Sequence, residues 1–216
     1  MQELAPGLWR WTARHAEWHP GEWGAQVASF AVDAGEATLL FDPLLPEDDA
    51  ATLERLDALV GDGLAAIVVT IPYHTRSAEP LSERYDAPIH GHRAIGKRLR
   101  DTSRLQPLDE LPGGAHAYAI GKPRRFETPV HLPSHRALVF GDAIVTTPDG
   151  DLRIWHTDRV DDDRARWYRD RFVPTLTPLR ELGLERILVT HGEPVLHDGS
   201  AALEAALAAR PWYHHG

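Results

Sequence analysis

At 216 residues the chain is long enough to bury a substantial core, and it reads as a single domain over 1–216. Its 43% hydrophobic and 25% charged residues are ordinary for a soluble globular protein, and a net charge of −9 with no basic stripe argues against nucleic acid as a partner. The absence of a membrane-length apolar run, of a signal-like N-terminus and of any cysteine points to a cytoplasmic protein with no membrane partner, no disulfides, no thiolate metal ligands and no Cys nucleophile.

The first predicted strand is Gly7 to Thr12, where apolar and polar residues alternate. The loop after it carries His15, Trp18, His19, Pro20-Gly21 and Trp23. It reads as a surface loop whose tryptophans bury against the sheet. The sharper alternative is a rim in which Trp18 and Trp23 form an aromatic wall for a bound small molecule. Gln26 to Val32 and Ala37 to Phe41 make a hairpin around Asp33-Ala34-Gly35-Glu36. Leu53, Leu56, Leu59 and Val60 recur at helical spacing from Asp48 onward, with acidic residues in the first turn, and Gly61 and Gly63 end that helix. Leu64 to Thr70 is a buried strand, Ala78 to Tyr85 a short helix, Pro88 to His92 a strand and Ala94 to Leu99 a second helix. This is a βαβ-type succession with helices packed outside. Thr102 to Gly114 reads as a connector.

Strand composition returns at His116 to Ile120, Phe126 to Leu132 and Ala137 to Asp142, and Asp149-Gly150 marks a tight turn. Asp161 to Asp163 opens a helix holding Trp167, Tyr168 and Phe172, interrupted or limited by Pro174 and Pro178. A last strand, Arg186 to Thr190, precedes an Ala/Leu-rich helix from Ser200 to Ala209.

Three apolar runs end in polar residues. Ala66 to Thr70 leads into Tyr73, His74 and Arg76; Leu138 to Phe140 leads into Gly141-Asp142; Ile187 to Thr190 leads into His191-Gly192-Glu193. Strands that finish at one sheet edge would converge these groups on one site. Gly141 is expected to let the backbone turn so that Asp142 points into a cavity.

In this order, these segments resemble the metallo-β-lactamase fold superfamily over nearly the whole chain. Leu39-Leu40-Phe41-Asp42 is similar to the early motif whose aspartate lies beneath the site. Pro133-Ser134-His135 resembles the segment carrying a metal-binding histidine, Phe140-Gly141-Asp142-Ala143 the Gly-Asp motif whose carboxylate bridges two metals, and Thr190-His191-Gly192-Glu193-Pro194 the terminal His-Gly motif. The resemblance implies an α+β fold, an αββα sandwich of two similar halves with helices on the outer faces. The family's His-x-His-x-Asp-His motif is lost, because Ile71, Tyr73, Thr75 and Arg76 stand at the corresponding positions.

His135, Asp142 and His191 remain from the family's ligand pattern, and His74 would complete three imidazoles and one carboxylate, enough for one divalent ion such as zinc. Arg76 argues for no metal, since a permanent cation repels another and offers Asp142 a charge-assisted partner. His90 and His92 read as structural or surface residues, His214-His215 as a flexible tail, and Glu127 and Glu193 as solvated charges.

Two functions follow. One is hydrolysis of a small ester, lactone or thioester at a mononuclear or metal-free site, with His74 or His191 as general base, Arg76 stabilising negative charge and Tyr73 donating a hydrogen bond. The other is a non-catalytic ligand-binding or interaction protein, with Arg76 and the Trp18/Trp23 loop as its recognition elements. Isomerisation or elimination at the same cluster is a third possibility.

Overall fold

The computed structural model describes residues 1–15, 18–19, 24–47 and 50–214. Trp23, the acidic residues Asp48 and Asp49 assigned to the first helical turn, and His215 lie outside them. A strand unmarked by the sequence, β1 (Gln2–Ala5), pairs antiparallel with β2 (Leu8–Arg14), and β2 pairs in turn with β3 (Gln26–Asp33). The hairpin closes with β4 (Ala37–Phe41). Helix α1 (Ala50–Val60) crosses to β5 (Leu64–Val69), and α2 (Ala78–Arg84) crosses to β6 (Ile89–Gly91). Both connections join parallel neighbours. The expected helix after β6 is a 3₁₀ turn at Arg93–Lys97, and the expected connector contains β7 (Leu105–Gln106), parallel to β6. The seven strands lie in sequence order.

The second sheet has the order β13-β10-β9-β8 and is built from β8 (His116–Ala117), β9 (Val130–Leu132), β10 (Ala137–Phe140) and β13 (Arg186–Val189). Between β10 and β13 comes a separate hairpin of β11 (Ile144–Thr146) and β12 (Leu152–Ile154), turning at the anticipated Asp149-Gly150. The two sheets are thus unequal in size. Helix α3 (Asp162–Trp167) starts at Asp161, whose carboxylate accepts from Arg164 N at 2.7 Å. It widens to a π turn over Tyr168–Phe172 and tightens to 3₁₀ over Val173–Glu181, where Pro174 and Pro178 supply no backbone donor. Helix α4 (Gly199–Ala208) follows β13.

Strand alternation distributes apolar residues into three cores. Leu39 and Phe41, Ala66 and Val68, Ala137 and Val139, and Leu188 face the space between the sheets. Their neighbours Leu40, Ile67 and Val69 face α1 and α2, joined by Leu56 and Leu81. Leu138, Phe140, Ile187 and Val189 face the other way, against Tyr168, Phe172, Leu176 and Leu203. The result is an α+β sandwich in which two sheets are stacked between helical layers. Each fully buried large apolar side chain contributes roughly 1.5–3 kcal/mol relative to exposure. Among the described residues, no helix is long and apolar enough to cross a membrane.

Candidate functional site

Because β4 and β5 run parallel, as do β10 and β13, the residues following these four strands come together at one end of the sandwich. Two backbone bonds join the sheets there: Ala28 N donates to Thr190 O and Thr128 N to Thr70 O, both at 2.8 Å. Asp42, Thr70, Asp142 and His191 are the residues so gathered.

Asp42 leaves β4 in a left-handed conformation, φ 44°. Its carboxylate accepts from Thr70 N at 2.8 Å and Thr70 Oγ1 at 2.5 Å, which fixes it under the site. A 3₁₀ turn at Pro72–His74 then places His74, 3% exposed, against it. His74 Nδ1 lies 3.0 Å from Asp42 Oδ2, and His74 Nε2 lies 3.2 Å from Asp142 Oδ1. Burial and the nearby Arg76 push this imidazole toward the neutral form, but the carboxylates of Asp142 and Asp42 outweigh them and hold its pKa above the ordinary value. Asp142 responds in kind. Burial raises it, yet His74, His191 and Arg124 hold it far below the usual carboxylate range.

His191 Nε2 sits 3.7 Å from the same Oδ1 of Asp142. Burial lowers its pKa to about 4, opposed by Asp142 and reinforced by His74 and Arg76, so its imidazole is neutral near pH 7. Thr190 Oγ1 donates to Gly141 O at 2.7 Å and steadies the turn beneath. Gly141 is required by close approach rather than by φ. A Cβ there would come within 2.7 Å of Thr70 Oγ1 and 3.1 Å of Ile71 Cγ2.

Sequence reading treated Glu127 as solvated, but it is 1% exposed and its two carboxylate oxygens accept from Gly141 N and Asp142 N, each at 3.0 Å. It comes from the loop that enters β9, and it clamps the backbone that carries Asp142. Burial pushes its pKa up to about 7, with Asp142 adding to the rise while Arg124 and the backbone donors oppose it. A Glu between Phe126 and Thr128 gives no local signal of this; only the β9–β10 pairing does.

The structure places His135 elsewhere. It stands before β10, whereas Asp142 follows it, so the strand, roughly 13 Å long, separates them. Its Nε2 contacts Asp33 O at 2.8 Å, so it takes no part in this site. The anticipated pairing of Arg76 with Asp142 is also replaced. Arg76, at φ 32°, donates from Nη1 to Asp42 O at 3.3 Å, and among the described residues it forms no ion pair with Asp142. His74 occupies that role.

A cavity of about 370 Å³ opens over these groups, lined by Trp18, Tyr73, His74, Arg76, Asp142, Trp155 and His191 among others. Trp18 therefore lines the cavity, while Trp23, its partner in the expected aromatic wall, lies outside the described residues. Tyr73, 64% exposed, stands at the rim. Trp155 was not singled out by sequence; its ring centroid is 5.5 Å from that of His191. His214 also lines the cavity instead of trailing as a tail, because Trp212 N donates to Ile154 O and Trp212 O accepts from His156 N, both at 2.8 Å. His90 is structural, its Nδ1 lying 2.8 Å from Pro107 O.

The donor set does not fit a metal ion. Among the described residues, no group of three or more His, Asp or Glu side chains is arranged to hold one. Both ring nitrogens of His74 face carboxylates, Glu127 is engaged with backbone, His135 is remote, and the Arg76 guanidinium lines the same cavity. A ligand shell needs free lone pairs, and an adjacent fixed cation opposes a second positive charge.

No family model matches the sequence, and no curated protein matches it. Solved structures do. A metallo-β-lactamase from Erythrobacter litoralis superposes with a TM-score of 0.64 at 16% identity, over 95% of this chain and 94% of that one. An archaeal metallo-β-lactamase superfamily protein from Sulfolobus tokodaii gives 0.63 at 16% identity, over 93% and 84%. The chain has the metallo-β-lactamase fold. The chemotaxis sensor ODP from T. denticola, in its apo state, shares that fold with a TM-score of 0.59 at 13% identity, over 95% and 96%, and a peroxy diiron species of chemotaxis sensor ODP gives 0.61 at 15% identity, over 86% and 88%. Within the metallo-β-lactamase fold, the present chain brings Asp42, His74 and Asp142 into contact at the strand ends.

Proposed function

We propose that the cavity binds a small planar organic anion, without a metal. The observation that carries this reading is the placement of guanidinium groups. Arg14 lies over Trp18 at 5.2 Å, Arg98 over Tyr73 at 4.3 Å and Arg124 over Trp155 at 5.2 Å, so each of these three wall rings carries a cation. Arg76 adds a fourth at the cavity itself, and its buried Nε has no hydrogen-bond partner among the described residues. In a protein of net charge −9, this gathers positive charge around a cavity whose lining also includes Asp142. Aromatic faces suit a flat ligand, and Arg76 suits its carboxylate.

The test is a thermal shift and titration calorimetry with 4-hydroxybenzoate, its neutral analogue 4-hydroxybenzyl alcohol, and zinc. The acid is expected to stabilise the protein, less so in about 1 M salt, where charges are screened. Arg76→Gln is expected to weaken the acid by roughly tenfold or more. Equal stabilisation by the alcohol, or none by the acid, would refute the reading.

A second reading, metal-independent hydrolysis of a small acyl compound, is favoured by the neutral His191 imidazole in the cavity. His191 would accept the proton of an attacking water while Arg76 faces the oxyanion, and the alcohol or thiol would leave with that proton. A pKa of about 4 makes His191 a weak base, which is why binding is preferred. Ester or thioester turnover that survives chelator and is lost in His191→Asn would reverse the preference.

A further inference from the structure

His191 stands between two cavities. The second, of about 490 Å³, shares Gly24 and His191 with the first, and its wall includes Arg10, Thr12, Gln26, Thr146 and Glu193. Their chemistries differ. The first offers rings and guanidinium groups, whereas among the described residues no Trp, Tyr or Phe lines the second, which offers hydroxyls, an amide and an ion pair.

Two buried polar atoms in this second wall, Thr146 Oγ1 and Arg10 Nε, have no hydrogen-bond partner among the described residues. Thr146 is only 3% exposed, so its hydroxyl has given up water without gaining a protein partner. The wall is also rigid. Thr146 N donates to His191 O at 3.0 Å, and Arg10 is forked onto Glu193 at 2.8 and 3.1 Å while donating to Gly192 O at 3.0 Å. Gly192, at φ 85°, packs so closely that a Cβ would fall 2.1 Å from Thr146 O. Such a wall loses little freedom on binding.

We infer that the second cavity is a subsite for a hydroxylated extension of the ligand, so that the protein takes a sugar- or polyol-bearing organic anion. This rests on the anion-binding reading of the first cavity. A hydroxyl both donates and accepts, so it can serve the Thr146 hydroxyl, the Arg10 N–H, the Glu193 carboxylate and the Gln26 amide alike. An aliphatic extension would leave these groups unpaired.

Titration calorimetry with 4-hydroxybenzoate and its 4-O-β-D-glucoside tests the inference. The glucoside is expected to bind about tenfold tighter. Thr146→Val, which removes the hydroxyl at constant shape, is expected to erase that gain and leave 4-hydroxybenzoate unchanged. Gln26→Ala, on the exposed edge of β3, is expected to reduce the gain even if the valine variant folds poorly. Equal affinities, or a full gain retained in both variants, would overturn the subsite while leaving the anion site standing. Binding of neither compound would overturn both.

Discussion

His74 Nε2 lies 3.2 Å from Asp142 Oδ1, on a residue whose other ring nitrogen faces Asp42. This contact joins the end of the first sheet to the end of the second through one buried imidazole. Both ring nitrogens of His74 are thereby committed to carboxylates. Several outcomes depend on it.

Removing that imidazole takes a shared partner from two buried carboxylates. His74→Asn is expected to lower unfolding free energy by roughly 3–5 kcal/mol, the usual cost of breaking a buried pair. Adding Asp42→Asn should recover part of the loss. A urea double-mutant cycle reads the coupling, and additive single effects would show that the pair does not interact.

Glu127 and His191 make opposed contributions to the pH dependence of stability. Glu127 has a folded pKa of about 7 against an ordinary 4.5, so its contribution is full below pH 4.5 and is lost as pH rises to 7. His191 has a folded pKa of about 4 against an ordinary 6.5, so the folded state is penalised below pH 4 and recovers as pH rises to 6.5. Between these limits the slopes oppose each other, each at most about 1.4 kcal/mol per pH unit. Relative to the parent protein, urea midpoints for Glu127→Gln should therefore tilt upward with pH across this window, and those for His191→Asn downward. Identical profiles in both variants would refute the assignment.

Glycines 141 and 192 differ in what they protect. Gly192→Ala meets the Thr146 carbonyl and a positive φ, and should cost about 2 kcal/mol or more. Gly141→Ala meets the Thr70 hydroxyl, so its smaller loss, roughly 1–3 kcal/mol, should come with weakened ligand binding as the Thr70–Asp42–His74 chain shifts. Thermal melts and calorimetry on the two variants separate these effects.

Protein prepared without an affinity tag should contain substoichiometric zinc, iron and manganese by elemental analysis. Its melting temperature should not change with chelator. A stoichiometric metal whose removal lowers the melting temperature would show that His74 rotates to serve as a ligand.

Much of the architecture was legible from residue order. Two apolar segments flanking Asp33-Ala34-Gly35-Glu36 marked the hairpin, and helical spacing through Leu53, Leu56 and Val60 marked α1, because each pattern is set within a few neighbouring residues. The two-residue strand β7 and the edge strand β1 carried too few residues to show a period. In the site, the polar residues after β5, β10 and β13 were recognisable as a group, and Asp42, His74, Asp142 and His191 do meet.

The errors share one cause. His135 and Asp142 flank the same strand, and their closeness in sequence conceals that they leave from opposite ends. Glu127 looks like any surface carboxylate until β9 folds against β10 and brings it under Gly141. Arg76 and His74 were rivals for Asp142, and the 3₁₀ turn at Pro72 decided between them. Sequence by itself determined which segments bury which faces, because burial follows a short period along the chain. Only tertiary structure decided which charges meet, because a side chain's electrostatic partner is chosen by strand pairing and direction, and the chain writes neither locally.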